Sequence, residues 1–253
     1  MDFVGTFQQA WQLLLSGLGI TVLAAVVSII IGMVLGLVSC LMGLSGNIVL
    51  RAISKAYVWV IRGTPMLVQA MIVYFALPMV VQLVIKGFSF SALTAGIVTL
   101  SLNAGAYLSE IFRGGIQAVD GGQVEAARSL GLSSGRTMWR IVLPQAVRIA
   151  IPSMVNQFII TVKDTSILSV IGLPEIVNRA GQYVGTTYQY FSTYMIVAVF
   201  YLVVISILMV ISRKVEDRLK SSAGQRGKGK KARPVVLPDG ITQMEIEDLG
   251  ANR

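Results

Sequence analysis

Four stretches of this chain carry no charged residue, and each is long enough to cross a bilayer as a helix. They cover 16–49, 63–85, 87–109 and 181–212. About 20 consecutive apolar residues carry a helix through the hydrocarbon core. A helix on the surface of a water-soluble fold needs a polar face, and blocks of this length leave none. The whole chain agrees: 13% of its 253 residues are charged and the mean hydropathy is +0.74, against about a quarter charged in soluble domains. Within lipid, only helices and closed barrels pair every backbone N–H and C=O. Solid apolar runs, rather than alternating strands of about ten residues, exclude the barrel. The sequence therefore predicts an all-α integral membrane protein.

Five transmembrane helices are expected, over roughly 17–42, 64–85, 90–111, 147–163 and 189–212. The leader MDFVGTFQQAWQLLLSG carries Asp2 and no Lys or Arg, unlike a cleavable signal, so the first block is expected to stay as a span. Thr64-Pro65 would start the second span, and Pro78 would kink it. The fourth span would begin after Leu143-Pro144. The stretch from Asp164 to Gln189 is too apolar for a plain loop; it reads as a short helix at the interface or tucked against the bundle.

Basic residues set the orientation. Arg51, Lys55 and Arg62 lie in the first connection, Lys86 in the second, Arg113, Arg128, Arg136, Arg140 and Arg148 in the third, and Arg179 in the fourth. Odd connections are rich and even ones poor, which puts the N-terminus outside and the C-terminus in the cytoplasm. Residues 1–220 then form the membrane domain. Residues 221–253 form a tail, basic and then acidic, expected to be disordered. Its basic part suits an anchor on the last span or a contact with anionic lipid. No aromatic residue is interleaved with those charges, so nucleic acid is not the expected partner.

One cysteine, Cys40, excludes an internal disulfide, and the absence of histidine removes the commonest metal ligand and general base. No GxxxxGK[ST] phosphate loop is present, so the chain is not expected to hydrolyse ATP.

The third connection holds the most informative stretch, EAARSLGLSSGRTMWRIVLP, residues 125–144. Its spacing is Glu125-Ala126-Ala127, three residues, Gly131, nine residues, Ile141, one residue, Leu143-Pro144. This resembles, position for position, the EAA motif of the membrane permease subunits of ABC importers. IRGTPMLVQAMIVYFALP (61–78), AYLSEIFRGGIQAVDGGQVEAA (106–127) and VKDTSILSVIGLPEI (162–176) resemble the permeases for polar amino acids. The likeness covers roughly 10–218 of the chain. It implies a type I importer fold in a bacterial cytoplasmic membrane, with a cytoplasmic coupling helix between the third and fourth spans. It also implies partners: ATPase subunits that carry ATP and Mg, a second permease copy (itself or a paralogue), and an extracytoplasmic amino-acid-binding protein. The chain itself would hold no cofactor. The substrate would be glutamine or glutamate, a basic amino acid, or cystine.

The residues suit that role. Val124, Ala126, Ala127, Leu130 and Leu132 can form one compact helical face, and Gly131 can take positive φ to end the helix in a tight turn. Glu125 can pair with a basic group of a partner. The plainer account is an amphipathic helix that merely caps the bundle.

Charged and polar groups at membrane depth are the substrate-pathway candidates: Lys163, Asp164, Thr165 and Ser166 at the end of span four, and Asn103 and Glu110 in span three. Asp164 could accept an ammonium, and Lys163 or the hydroxyls could donate to a carboxylate. Alternatively Lys163 pairs with Asp164, Glu110 pairs with Arg113, and Asn103 bonds a neighbouring helix. Other classes remain at this level: an ion-coupled carrier, an intramembrane hydrolase, or a non-transporting scaffold or sensor.

Overall fold

The structure is a computed structural model that describes residues 3–228. Among these residues there are only helices and turns. We label them α1 (Phe3–Leu44), α2 (Ile48–Gly63), α3 (Met66–Val81), α4 (Ala92–Gln117), α5 (Gly121–Ser129), α6 (Ser134–Ile171), α7 (Ile176–Thr187) and α8 (Tyr190–Lys228). Four of them, α1, α4, α6 and α8, are long and apolar enough to cross a membrane. The bent pair α2–α3 makes a fifth span if counted as one. The most apolar window of the chain, in α8, is only 11% buried. A fold made for water would hide that helix; this one presents it to an apolar solvent.

Small residues hold the bundle together. Along α1 the buried positions include Gly17, Thr21, Ala24, Ser28, Gly32, Gly36 and Cys40, one every three or four residues. Gly32 meets Ser101, Ala104 and Gly105 of α4, and Gly36 meets Gly105, Leu108 and Ser109. Lipid tails are as apolar as leucine, so helices in a membrane associate through close van der Waals contact and hydrogen bonds, and small side chains permit both. Ser28 Oγ donates to the Ile97 carbonyl at 3.3 Å, and Ser109 Oγ to Ser39 Oγ at 3.1 Å.

Several boundaries differ from the sequence reading. Helix α1 starts at Phe3, well before residue 17, because its first turns are anchored by tertiary contacts. Thr6 bonds Gln189 and Ser192 at the start of α8, and Gln9 accepts from the Tyr183 hydroxyl of α7 at 3.0 Å. The first connection is itself a helix, α2, turned by 106° against α3 at Thr64-Pro65. Its backbone stays helical because Ser54 and Tyr57 face the bundle: Ser54 Oγ donates to the Ser39 carbonyl and Tyr57 to the Leu102 carbonyl, both at 2.7 Å. The second span ends near Val81 and not at residue 85. The helix that carries the fourth span starts earlier than Pro144, at Ser134, with Pro144 inside it.

Both Leu-Pro pairs that lie within helices of the described residues, Leu77-Pro78 and Leu143-Pro144, have the same consequence. The N–H of Leu77 bonds the Ile72 carbonyl, and that of Leu143 bonds the Met138 carbonyl, each five residues back. These π-turns, Ile72–Ala76 and Met138–Val142, directly precede Leu77-Pro78 and Leu143-Pro144. Proline offers no N–H and its ring crowds the carbonyl four residues earlier. Widening the preceding turn relieves that crowding without breaking the helix.

Helix α7 is the tucked element. It packs on α1, where a Cβ on Gly17 would lie 2.8 Å from the Ile176 Cα. From Arg213 the chain forms a second unit, in which α8 stays helical to Lys228. The helix thus passes the boundary drawn at residue 220, and the rest of the tail, 229–253, lies outside the described residues.

Candidate functional site

The EAA stretch folds into α5, a turn and the first part of α6. Asp120 starts α5 as a side-chain cap, its Oδ1 accepting from the Gly122 N–H at 2.8 Å. The helix ends in a Schellman turn at Gly131, with φ +83°. There the Leu132 N–H bonds the Ala127 carbonyl at 3.1 Å and the Gly131 N–H bonds the Arg128 carbonyl at 2.9 Å. Arg128 also donates to Ser134 Oγ at 2.8 Å, and Gln145 to Gln123 Oε1 at 2.7 Å. The turn is therefore braced on both sides.

The predicted single apolar face is divided. Ala127 is buried, and Val124 and Leu132 are half-buried against the bundle. Glu125 and Ala126 are exposed, and Leu130 is 82% exposed. Trp139, on the π-turn of α6, is 75% exposed. Residues one turn apart share a helical face, but Leu130 is the C-cap of α5, where the backbone leaves the helix and that spacing fails. One side of α5 seals the bundle while the other presents a small residue, a carboxylate and a leucine outward. Leu143 is half-buried, and Pro144 is exposed on α6.

Asn103 and Glu110 face the α2–α3 junction. Asn103 Nδ2 donates to Gln69 Oε1 at 3.4 Å. Gln69 Nε2 reaches the Ile61 carbonyl at 2.7 Å and Thr64 Oγ1 at 2.8 Å, so this amide serves the free carbonyl end of α2. Glu110 receives Arg113 in a two-pronged pair, at 3.0 Å from Nε and 2.6 Å from the second guanidinium nitrogen. Arg62 stands 3.7 Å from the same carboxylate, with its guanidinium over the Tyr107 ring. The apolar setting does not expose these charges singly.

Lys163, Asp164 and Ser166 line a cavity of 640 Å³, opposite Tyr201, Leu202 and Ile205 of α8. Thr165 is not in it: its side chain is buried and donates to the Val162 carbonyl at 2.8 Å. Lys163 and Asp164 form no ion pair, because neighbours in a helix point about 100° apart.

Sequence reasoning missed Glu175. It is fully buried, and it caps α7 through both oxygens, accepting from the Asn178 N–H at 2.6 Å and the Val177 N–H at 2.9 Å. Burial pushes its carboxyl up to about 7, against the pull of these two N–H groups and of the Tyr201 hydroxyl. The signal was present in Pro174-Glu175 before an apolar run, where an acidic residue reads as an N-cap. Gln69 was missed too, since a lone glutamine in an apolar helix has no spacing to mark it.

A helical bundle of this form is the fold of the membrane subunit of ABC importers. The structure is similar to a crystal structure of an amino acid ABC transporter with histidines, at TM-score 0.81 and 36% identity, covering 86% of this chain and 99% of that one. It is also similar to the MetNI methionine ABC transporter in an inward-facing form, at TM-score 0.65 and 20% identity, which speaks for the fold alone. The chain belongs to the family of binding-protein-dependent transport system inner membrane components, matched over residues 28–221. Among its relatives, the arginine transport system permease protein ArtQ of Bacillus subtilis is 42% identical over 88% of this chain and 99% of its own length. The glutamine transport system permease protein GlnP of Escherichia coli is 36% identical over 83% and 94%.

Proposed function

We propose that this chain is the translocating subunit of an ATP-driven importer of polar amino acids in a bacterial cytoplasmic membrane. The 42% identity to an arginine permease along almost the entire described chain carries the amino acid reading. The 640 Å³ cavity supplies a chemistry that fits. A zwitterion needs an acceptor for its ammonium and a donor for its carboxylate, and Asp164 and Lys163, which form no salt bridge among the described residues, stand at one end. The apolar wall of Leu202 and Ile205 would exclude water and strengthen both contacts. Glutamine and arginine, glutamate and cystine all share that zwitterionic head, so this end of the cavity suits each of them.

In this reading α5 is the coupling helix, exposed on the cytoplasmic side. Glu125, Ala126 and Leu130 enter a groove on an ATPase subunit, while Ala127, Gly131 and the Leu143-Pro144 step tie the helix to α6. The capped turn is stiff, so a push on α5 moves α6 rather than bending the loop between them. ATP and Mg reside on the ATPase subunits. A second permease copy completes the pathway, and a binding protein delivers the amino acid from outside. The family gives the ion-coupled carrier, the hydrolase and the scaffold no supporting observation.

The test is ATP hydrolysis by the chain assembled with its ATPase subunits in liposomes, with its binding protein and a panel of amino acids. Stimulation by one polar amino acid, lost on substitution of Gly131, is expected. Hydrolysis indifferent to every amino acid would remove the substrate class.

A further inference from the structure

The segments 61–78 and 106–127, distant in the sequence, meet at the corner between α2 and α3. Arg62, in the last turn of α2, stands 3.7 Å from the Glu110 carboxylate and 5.1 Å from the centre of the Tyr107 ring, both on α4. On the other side of Thr64-Pro65, Gln69 at the start of α3 accepts from Asn103 of α4 at 3.4 Å. Helix α4 therefore holds both arms of the 106° bend.

The two contacts differ in kind. Gln69 is buried, and its Nε2 reaches back across the break to the Ile61 carbonyl at 2.7 Å, the Thr64 carbonyl at 3.1 Å and Thr64 Oγ1 at 2.8 Å. This brace ties the two arms, so a displacement at the end of α2 passes into α3 rather than being absorbed at Pro65. The Arg62–Glu110 contact is loose. Arg113 holds Glu110 at 3.0 and 2.6 Å and also donates to Gln117 at 2.8 Å. The Arg62 and Glu110 side chains are 43% and 31% exposed, and an ion pair in such a setting adds little stability. Glu110 keeps its Arg113 partner whether or not Arg62 is near, so breaking the contact strands no carboxylate. The contact can be made and broken at small cost.

Each side of the corner leads to a working part. Between α4 and α5 lie Ala118, Val119 and Asp120 alone. A push on α5 therefore reaches the Tyr107–Arg113 stretch directly. Beyond the corner, Ala70 and Val73 of α3 share one packed cluster with Leu168, Ile171 and Leu173. The 3-10 turn Thr165–Ile171 carries Ser166 and Ile167 of the 640 Å³ cavity wall.

We propose that Arg62 is a positioning residue. Docked on Glu110 and Tyr107, it carries the displacement of α4 through the braced corner and α3 to the wall of the Lys163–Asp164 cavity. This inference rests on the coupling role of α5 and adds a second route beside the Gly131 turn, which leads into α6.

The readout is amino acid imported per ATP hydrolysed, measured on the assembled transporter in liposomes. Arg62→Gln should lower that ratio about threefold or more, with basal hydrolysis and the thermal midpoint unchanged. Arg62→Lys, which keeps the charge, should retain most of it. Arg51→Gln, about 16 Å away along α2, should leave it intact. Arg62→Gln combined with Glu110→Gln should be no worse than Glu110→Gln alone, as two residues acting through one contact require. An unchanged ratio in Arg62→Gln, a loss that follows a fall in thermal midpoint, or losses that multiply in the double variant would overturn the proposal. Gly131→Val separates the two readings. If it fails while Arg62→Gln imports normally, the corner route alone is overturned; if both import normally, the coupling role of α5 falls and this route falls with it.

Discussion

A Cβ built on Gly36 of α1 would lie 2.9 Å from the carbonyl oxygen of Gly105 on α4. Two glycines let these backbones approach, and Gly105 is equally confined, since a Cβ there would stand 2.7 Å from the Tyr57 hydroxyl. The α1–α4 crossing is thus set by the absence of side chains.

Enlarging Gly36 should be costly. Gly36→Leu should destabilise the bundle by about 1–3 kcal/mol or more, as overpacking does. Gly19→Leu, at a position with nothing within 4 Å, should do much less. Thermal unfolding in detergent compares the two; equal midpoints would show that the crossing yields.

Gly131 carries the second expectation. A β-branched residue at φ +83° strains the backbone, at about 1–2 kcal/mol. Gly131→Val should lower ligand-stimulated ATP hydrolysis and uptake in the assembled transporter while membrane insertion persists. Gly135→Ala, four residues on and with open space around it, is the comparison. Normal uptake by Gly131→Val would remove the coupling role from this turn.

Asp164 and Lys163 should act on substrate handling. Loss of one charged hydrogen bond is worth about 1.5–3 kcal/mol, or roughly ten- to a hundredfold in transport efficiency. Asp164→Asn and Lys163→Gln should each show it in uptake by reconstituted complexes. If both transport as well as the unaltered chain does, the zwitterion does not stop in this cavity.

Glu175 predicts a pH dependence whose sign is fixed by its raised carboxyl. Its value of about 7 exceeds the ordinary 4.5, so folding favours the protonated form. The contribution is complete below about pH 4.5 and is lost as pH rises through about 7. Thermal stability should therefore fall across that window, and Glu175→Gln should flatten the fall. A steeper fall in the variant would contradict this assignment.

Charge-free blocks announced the spans because lipid tolerates little else, and the EAA spacing announced the turn because only glycine takes φ +83° without strain. Asn103 and Glu110, seven residues apart and so on nearly one helical face, both meet the α2–α3 junction. Other features could not be read that way. The cations of α2 look like a loop until Ser54 and Tyr57 are seen gripping the bundle. The start of α1 depends on Thr6 meeting Gln189, which is far away in the chain. Lys163 and Asp164 look like a pair in the sequence, and helical geometry separates them.

The π-turn ahead of Leu143-Pro144 gives the motif's fixed spacing a second meaning. Each residue of a helix turns its side chain by about 100°. The Ala146 and Ala150 face fits so closely on Gly115 that a Cβ there would touch the Ala146 carbonyl at 2.8 Å. Removing one residue between Gly131 and Ile141 would shorten the connection only slightly, but it would rotate α5 by about 100° relative to that face. The nine residues therefore act as an angular setting, aiming Glu125 and Leu130 in a direction fixed by the packing of α6 within the membrane.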